Sequence, residues 1–95
     1  MSRRKSATSY PQAVTTPGAR ALYDNLERDE AFALSADAAV RRTVQDGWRT
    51  NARKTRRVRN EVEDLLVTSR PDLSDEERKE LATSILTLCE RQSDY

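Results

Sequence analysis

The segment "PDLSDEERK" contains the residue types of a metal-dependent nuclease site. Asp72, Glu77 and Lys79 stand in the order of a PD-(D/E)xK motif, in which two carboxylates and a lysine converge on a metal ion and a water. Glu77 and Lys79 are two positions apart in a predicted helix, however, so their side chains diverge by roughly 200°. The segment also has the pattern of a helix start, with Ser74 as N-cap and Glu77 completing a capping box. We therefore expect no catalytic residue in it.

The rest of the composition excludes several other kinds of site. The chain has 95 residues, no histidine and one cysteine, Cys89. A serine or cysteine nucleophile would lack its usual base, and neither an internal disulfide nor a zinc site is plausible. No apolar run approaches the roughly 20 residues of a membrane helix. We expect a cytoplasmic chain with no metal, cofactor, small-molecule ligand or membrane partner of its own.

Positive charge is concentrated in the middle of the chain. Residues 1–59 carry 13 Lys and Arg against 6 Asp and Glu, whereas residues 60–95 carry 4 against 10. A phosphate backbone would be attracted to the basic run, and its candidate DNA-binding residues are Arg53, Lys54, Arg56, Arg57 and Arg59. The alternative is internal pairing between residues four positions apart, as in Arg57–Glu61 and Arg59–Glu63, with further neutralisation by the acidic fourth helix, predicted after Ser74.

The only tryptophan, Trp48, lies between the turn residues Asp46-Gly47 and this basic run. A lone tryptophan beside a turn can anchor a loop to a small core, because it brings a large apolar area. It can also be the hot spot of a protein interface, where tryptophan and arginine are enriched. On the second interpretation, the candidate partner-binding residues are Trp48, Arg49 and Arg53.

Helical periodicity predicts an all-α fold, a small bundle of three to four helices with a disordered N-terminal tail. The tail or linker covers residues 1–15 and the helical domain residues 16–95. A first helix follows Thr16 as N-cap, and a second helix of about 14 residues follows Asp29.

A third helix is predicted from about Asn51 to about Thr68, and a fourth after Ser74. The apolar stripe of the fourth helix is predicted to consist of Leu81, Ile85, Leu88 and Cys89, with Leu86 alongside.

The order of these segments resembles the C-terminal segment of the R (motor and endonuclease) subunit of type I restriction enzymes. The most specific matching pieces are "RALYDNL", residues 20–26, and "DGWR", residues 46–49, followed by Asn51, Lys54 and Val58. The resemblance covers about residues 10 to 95. The ending "CERQSDY" looks like a natural carboxyl terminus, and the start looks like a position inside a longer chain.

The resemblance implies a large bacterial parent subunit with a nuclease domain, two motor domains that use ATP and Mg²⁺, and a C-terminal part. That part helps to dock the subunit onto the methyltransferase (modification) subunit. This chain has no Gly-Lys-Ser/Thr phosphate-binding loop, so the implied role is a docking module and not an enzyme. The alternative is a basic helix that contacts DNA duplex without sequence preference, and a free-standing transcription factor is a third possibility.

Overall fold

A computed structural model describes residues 10–95 as four α-helices and one 3-10 turn. The helices are α1 (Pro17–Asn25), α2 (Glu30–Thr43), α3 (Ala52–Ser69) and α4 (Asp75–Glu90), and the 3-10 turn (Trp48–Thr50) precedes α3. No strand occurs in this part of the chain. The all-α class and the small bundle predicted from the sequence are confirmed. None of these helices is both long enough and apolar enough to cross a membrane.

Each helix begins at a polar residue whose side chain accepts a hydrogen bond from a backbone N–H in the first turn. These N-caps are Thr16, Asp29, Asn51 and Ser74. Such caps satisfy amides that have no partner within the helix. At α4, Glu77 also accepts from the Ser74 N–H at 2.8 Å, which completes the predicted capping box.

The four helices enclose one core. α3 contacts α2 and α4, and α1 contacts the same two helices, with the contact between α1 and α4 the least extensive of the four. Val58, Val62 and Leu66 form the buried stripe of α3. Ala33 and Ala36 of α2 are fully buried, and these small side chains allow neighbouring helices to approach closely.

The apolar stripe of α4 differs from the prediction. Its buried residues are Ala82, Ile85, Leu86 and Cys89. Leu81 and Leu88, which were expected to belong to the stripe, are only half-buried at its edge. The helix is therefore rotated so that the small side chain of Ala82 faces the core, and two leucines retain contact with solvent.

The N-terminal segment is only partly comparable with the prediction of a tail over residues 1–15. Residues 1–9 lie outside the described residues. In residues 10–15, Val14 is buried, and the Tyr10 hydroxyl donates to the Asp24 carboxylate at 2.7 Å. The Tyr10 ring also contacts the Tyr23 ring edge-on, with centroids 5.8 Å apart. This part of the predicted tail packs on α1, because its aromatic and apolar side chains find partners there.

Candidate functional site

The structure places Trp48 in the core. Its side chain is only 2% exposed, and it belongs to the buried core cluster, which includes residues of all four helices. The Gly47 backbone has φ 74°, a left-handed conformation that favours glycine and turns the chain into the 3-10 segment. Trp48 thus anchors a loop to the core, which agrees with the first of the two interpretations given for it above. A ring in this position is not accessible to a partner.

Arg49 is engaged by the end of α4. Its Nε donates to the Glu90 carbonyl at 3.0 Å, and its Nη2 donates to the Gln92 carbonyl at 2.5 Å. The guanidinium also lies 5.2 Å from the centre of the Trp48 ring. Arg49 therefore supplies donors to carbonyl groups at and just after the C-terminus of a helix, where a positive charge is favourable. Of the three candidate partner-binding residues, Trp48 is buried, Arg49 is exposed but held by internal contacts, and Arg53 is exposed.

Four residues of the first half of α3 share one helical face. Arg53, Arg56, Arg57 and Asn60 follow at three- and four-residue steps, which places their side chains together. The face lies opposite the buried stripe of the same helix. It forms one wall of an open concave surface of about 480 Å³. We call this surface the basic groove, and it is lined by Gln45, Asn51, Arg53, Lys54, Arg56, Arg57 and Asn60.

The charge of the basic groove is not neutralised within the described residues. Arg53, Arg56 and Arg57 are exposed, and residues 10–95 provide none of them with an ion pair. Lys54 is partly engaged, since its Nζ donates to the Asp46 carbonyl at 2.6 Å. The lining residues include no carboxylate.

The position of these cations on the helix strengthens their field. α3 has no acidic residue in its first turn, whereas α4 has three. Because the N-terminus of a helix carries a partial positive charge, Arg53 and Lys54 lie where a cation is unfavourable and an anion is favourable. An anion bound in the basic groove would relieve this repulsion.

Within residues 10–95, neither of the four-residue pairs of the internal-pairing alternative, Arg57–Glu61 and Arg59–Glu63, forms. Glu61 pairs with Arg42 of α2 at 2.5 Å, and not with Arg57. Arg59 donates to the Thr83 hydroxyl of α4 at 2.9 Å; within residues 10–95 it has no ion pair with Glu63. Arg59 does not line the basic groove, so the structure brings together four of the five candidate DNA-binding residues.

One of the nuclease-like residues of "PDLSDEERK", Glu77, has a structural role in the described chain. Glu77 completes the capping box of α4, as the sequence predicts. Residues 10–95 contain no group of three or more His, Cys, Asp or Glu side chains placed to hold a metal ion.

Comparison with protein-family models, with curated proteins and with solved structures gives no match. The resemblance to the R subunit of type I restriction enzymes therefore depends only on the residues quoted above, and the function has to be argued from the geometry.

Proposed function

We propose that this chain is a non-catalytic binding module of a larger DNA-processing complex in the bacterial cytoplasm, in which the basic groove contacts the phosphates of a DNA duplex. One observation supports this most directly. Arg53, Arg56 and Arg57 lie on one face of α3, exposed to solvent and without a counter-charge among residues 10–95. The contact would be independent of base sequence, because phosphate contacts carry no direct sequence information.

The chemistry of the lining favours a nucleic acid over a protein surface. The groove offers guanidinium, ammonium and amide groups but no aromatic or aliphatic anchor. Protein interfaces usually depend on a buried apolar or aromatic hot spot at their centre, and the one aromatic ring nearby, Trp48, is already in the core. Phosphate oxygens need only charged and polar donors.

A salt titration tests the proposal. The affinity of the chain for a duplex of unrelated sequence is measured by fluorescence anisotropy at several salt concentrations. If three arginines each neutralise one phosphate, the logarithm of the affinity falls with the logarithm of salt with a slope of about −2.7. The triple variant Arg53→Gln, Arg56→Gln, Arg57→Gln is expected to lose both the affinity and most of the slope.

Lys79→Gln with Arg91→Gln is the matched control, since both residues are exposed and lie outside the groove. This variant keeps the groove while removing two positive charges elsewhere. Equal losses per charge removed in the groove variant and in the control would show that only net charge matters. A flat salt dependence of the unmodified chain would also exclude phosphate contact.

Docking onto a methyltransferase core is the second candidate function. It follows from the resemblance to the R subunit, and one structural observation favours it: Leu81 and Leu88 of α4 are left half-buried at the surface. Apolar side chains at the surface of a small helical module provide the kind of anchor that protein interfaces use. Among the candidate partner-binding residues, Arg53 remains exposed for such a contact.

The docking function is tested by mixing the chain with the cognate methyltransferase core and measuring complex formation by sedimentation velocity. A complex that forms at moderate salt without DNA supports docking. Arg53→Glu and Arg91→Glu, compared in the same assay, determine whether the basic groove participates. If no complex forms while duplex binding persists, DNA contact remains and docking is excluded.

A further inference from the structure

The seam between α1 and α4 contains a groove that is distinct from the basic groove. Two adjoining depressions, of about 340 and 440 Å³, share the lining residues Asn25, Leu26, Leu81 and Ser84. They therefore lie side by side, and we call the two depressions together the α1–α4 groove. It lies where the contact between helices is least extensive.

The floor of the α1–α4 groove is apolar. Leu26 and Leu81 line both depressions, Leu73 lines the first, and Leu88 lines the second. Leu73, Leu81 and Leu88 are half-buried, so each retains apolar surface that a partner could cover. Leu81 and Leu88 are the two leucines that the sequence pattern assigns to the apolar stripe of α4.

The spacing of the floor residues matches a helical partner. Leu81 and Leu88 are seven positions apart, which is about 10.5 Å or two turns along α4. Ser84 lies between them on the same side, and its small side chain lets another backbone approach. A helix laid into such a groove presents apolar residues at three-, four- and seven-residue steps.

The charges at the rim determine which kind of helix fits. One end of the groove carries Glu27, Glu77 and Glu80, against a single cation, Arg70. Arg70 already has two internal contacts. Its Nη2 lies 3.7 Å from the Glu27 carboxylate, and its guanidinium lies 4.7 Å from the Phe32 ring centre. The rim is therefore net negative. The lining of the other depression contains no charged residue, and its Thr83 accepts a hydrogen bond from Arg59, which lies outside that lining.

We propose that the α1–α4 groove binds an amphipathic helix of a partner protein, with leucine-type side chains on one face and lysine or arginine on the flanks. The apolar face covers Leu81 and Leu88, and the flanking cations meet Glu80 and Glu27. This rests on the proposed docking function for its biological setting, but it names a surface and a partner chemistry that can be tested separately.

The test uses the full chain and synthetic 18-residue helical peptides. One peptide consists of leucine and lysine in an amphipathic pattern, a second has glutamate in place of each lysine, and a third has the composition of the first in scrambled order. Amide chemical shifts of the isotope-labelled chain are followed during titration. We expect the patterned leucine-lysine peptide to bind, with shifts along α1 and α4, and the other two peptides to bind at least about tenfold more weakly.

Matched variants localise the binding. Leu81→Asn and Leu88→Asn are compared with Val67→Asn, because Val67 is a 58% exposed apolar residue outside the groove. Glu80→Lys is compared with Glu76→Lys, since both are exposed acids of α4 and only Glu80 lines the groove. We expect each groove variant to weaken the peptide about fivefold or more and the controls to leave it unchanged. A thermal melt of each variant verifies that it is folded.

Three outcomes would overturn the proposal. The first is an equal effect of groove and control variants on peptide affinity, and the second is amide shifts confined to α3. The third is a self-associating chain whose dimer is dissociated by Leu81→Asn, which would assign the groove to a second copy.

Titration with the methyltransferase core distinguishes the groove proposal from the docking function. If the core binds the chain but shifts no α1–α4 groove residue, docking stands and the groove proposal fails. If the peptide binds but the core does not, the groove proposal stands and docking onto a methyltransferase fails.

Discussion

The guanidinium of Arg41 in α2 donates to the carboxylate of Asp94 at 2.5 Å, across a sequence separation of 53 residues. The same guanidinium donates to Asp37 and to the Thr16 hydroxyl, while the Gly18 N–H donates to Asp94 at 3.1 Å. Arg41 and Asp94 thereby join the start of α1, the last turn of α2 and the segment that follows α4. These contacts hold together elements that are far apart in the chain.

The stability of the protein is predicted to depend on the ionisation of Asp94. Burial acts to raise the pKa of this carboxyl, but hydrogen bonds from Arg41 and from the Gly18 N–H outweigh it and lower the pKa below its usual value. A lowered pKa in the folded state means that the stabilisation is present above the unfolded pKa of about 3.9 and is lost as the pH falls through the folded value. Because Arg41 and Asp94 keep 34% and 21% of their side chains exposed, solvent screens the pair in part, and we expect about 1 kcal/mol.

Urea unfolding at pH 6 and at pH 3 measures this contribution. Asp94→Asn is expected to be less stable than the unmodified chain at pH 6, and the difference between the two should be smaller at pH 3, where the unfolded chain is largely protonated at this position. Asp64→Asn is the control, since Asp64 is an exposed carboxylate of α3 with no ion pair in residues 10–95. A difference between Asp94→Asn and the unmodified chain that is the same at both pH values would contradict the prediction.

Gly18 is predicted to be required by the ring of Tyr95. A Cβ at position 18 would lie 2.5 Å from Cζ of Tyr95, and the hydroxyl of that ring donates to Asp37 at 2.5 Å. Alanine is normally the better helix residue, but here it must displace the ring. We expect Gly18→Ala to destabilise the fold by about 1–3 kcal/mol.

A double-mutant cycle isolates the cause. In a Tyr95→Ala background, the obstacle is removed, and Gly18→Ala should be neutral or stabilise by about 0.5–1 kcal/mol. Both effects are measured as shifts in the urea midpoint. The same loss in both backgrounds would mean that the clash with Tyr95 is not the reason for glycine at this position.

Cys89 is predicted to be unreactive in the folded chain. Burial, followed by the negative charge of Asp37, raises the pKa of its thiol to about 12. Since the thiolate is the reactive species, alkylation by iodoacetamide at pH 8 should be at least about a hundredfold slower in the native chain than in urea. Mass spectrometry at timed intervals gives both rates, and similar rates would show that α4 opens readily at this point.

The helices could be predicted from the sequence because their signals are local. Thr16, Asp29 and Ser74 each precede a periodic apolar run, and a cap acts within one turn. The basic face of α3 follows from the same periodicity, which places Arg53, Arg56 and Arg57 together without any knowledge of the tertiary structure.

The features that the sequence did not reveal depend on contacts between distant segments. The position of Leu81 and Leu88 at a groove edge depends on how α4 is rotated against its neighbours, and both Ala82 and Leu88 are compatible with a helical stripe. The packing of residues 10–15 against the bundle depends on the contact of Tyr10 with α1. Likewise, the role of Arg49 depends on carbonyl groups 41 and 43 positions later. The only sequence signal for this role of Arg49 is its position next to Trp48, beside a turn.

Trp48 and Arg49 are predicted to contribute to folding and not to DNA contact. Trp48→Ala removes a buried ring and should cost about 3–5 kcal/mol, which would leave a domain of this size barely folded. Trp48→Phe should cost less, because the indole N–H has no hydrogen-bond partner in residues 10–95. Arg49→Ala loses two hydrogen bonds to carbonyl groups at the end of α4 and should cost about 1 kcal/mol.

Arg49→Ala and Arg56→Gln together separate folding from binding. Arg49→Ala should lower the urea midpoint and leave the duplex affinity of the folded chain unchanged. Arg56→Gln should weaken duplex binding and leave the urea midpoint unchanged, because Arg56 is exposed and has no ion pair among the described residues. Both variants are assayed by urea unfolding and by anisotropy with the same duplex. Loss of duplex affinity in Arg49→Ala at unchanged stability would make Arg49 a contact residue, and the carbonyl groups of Glu90 and Gln92 would then not be what holds it.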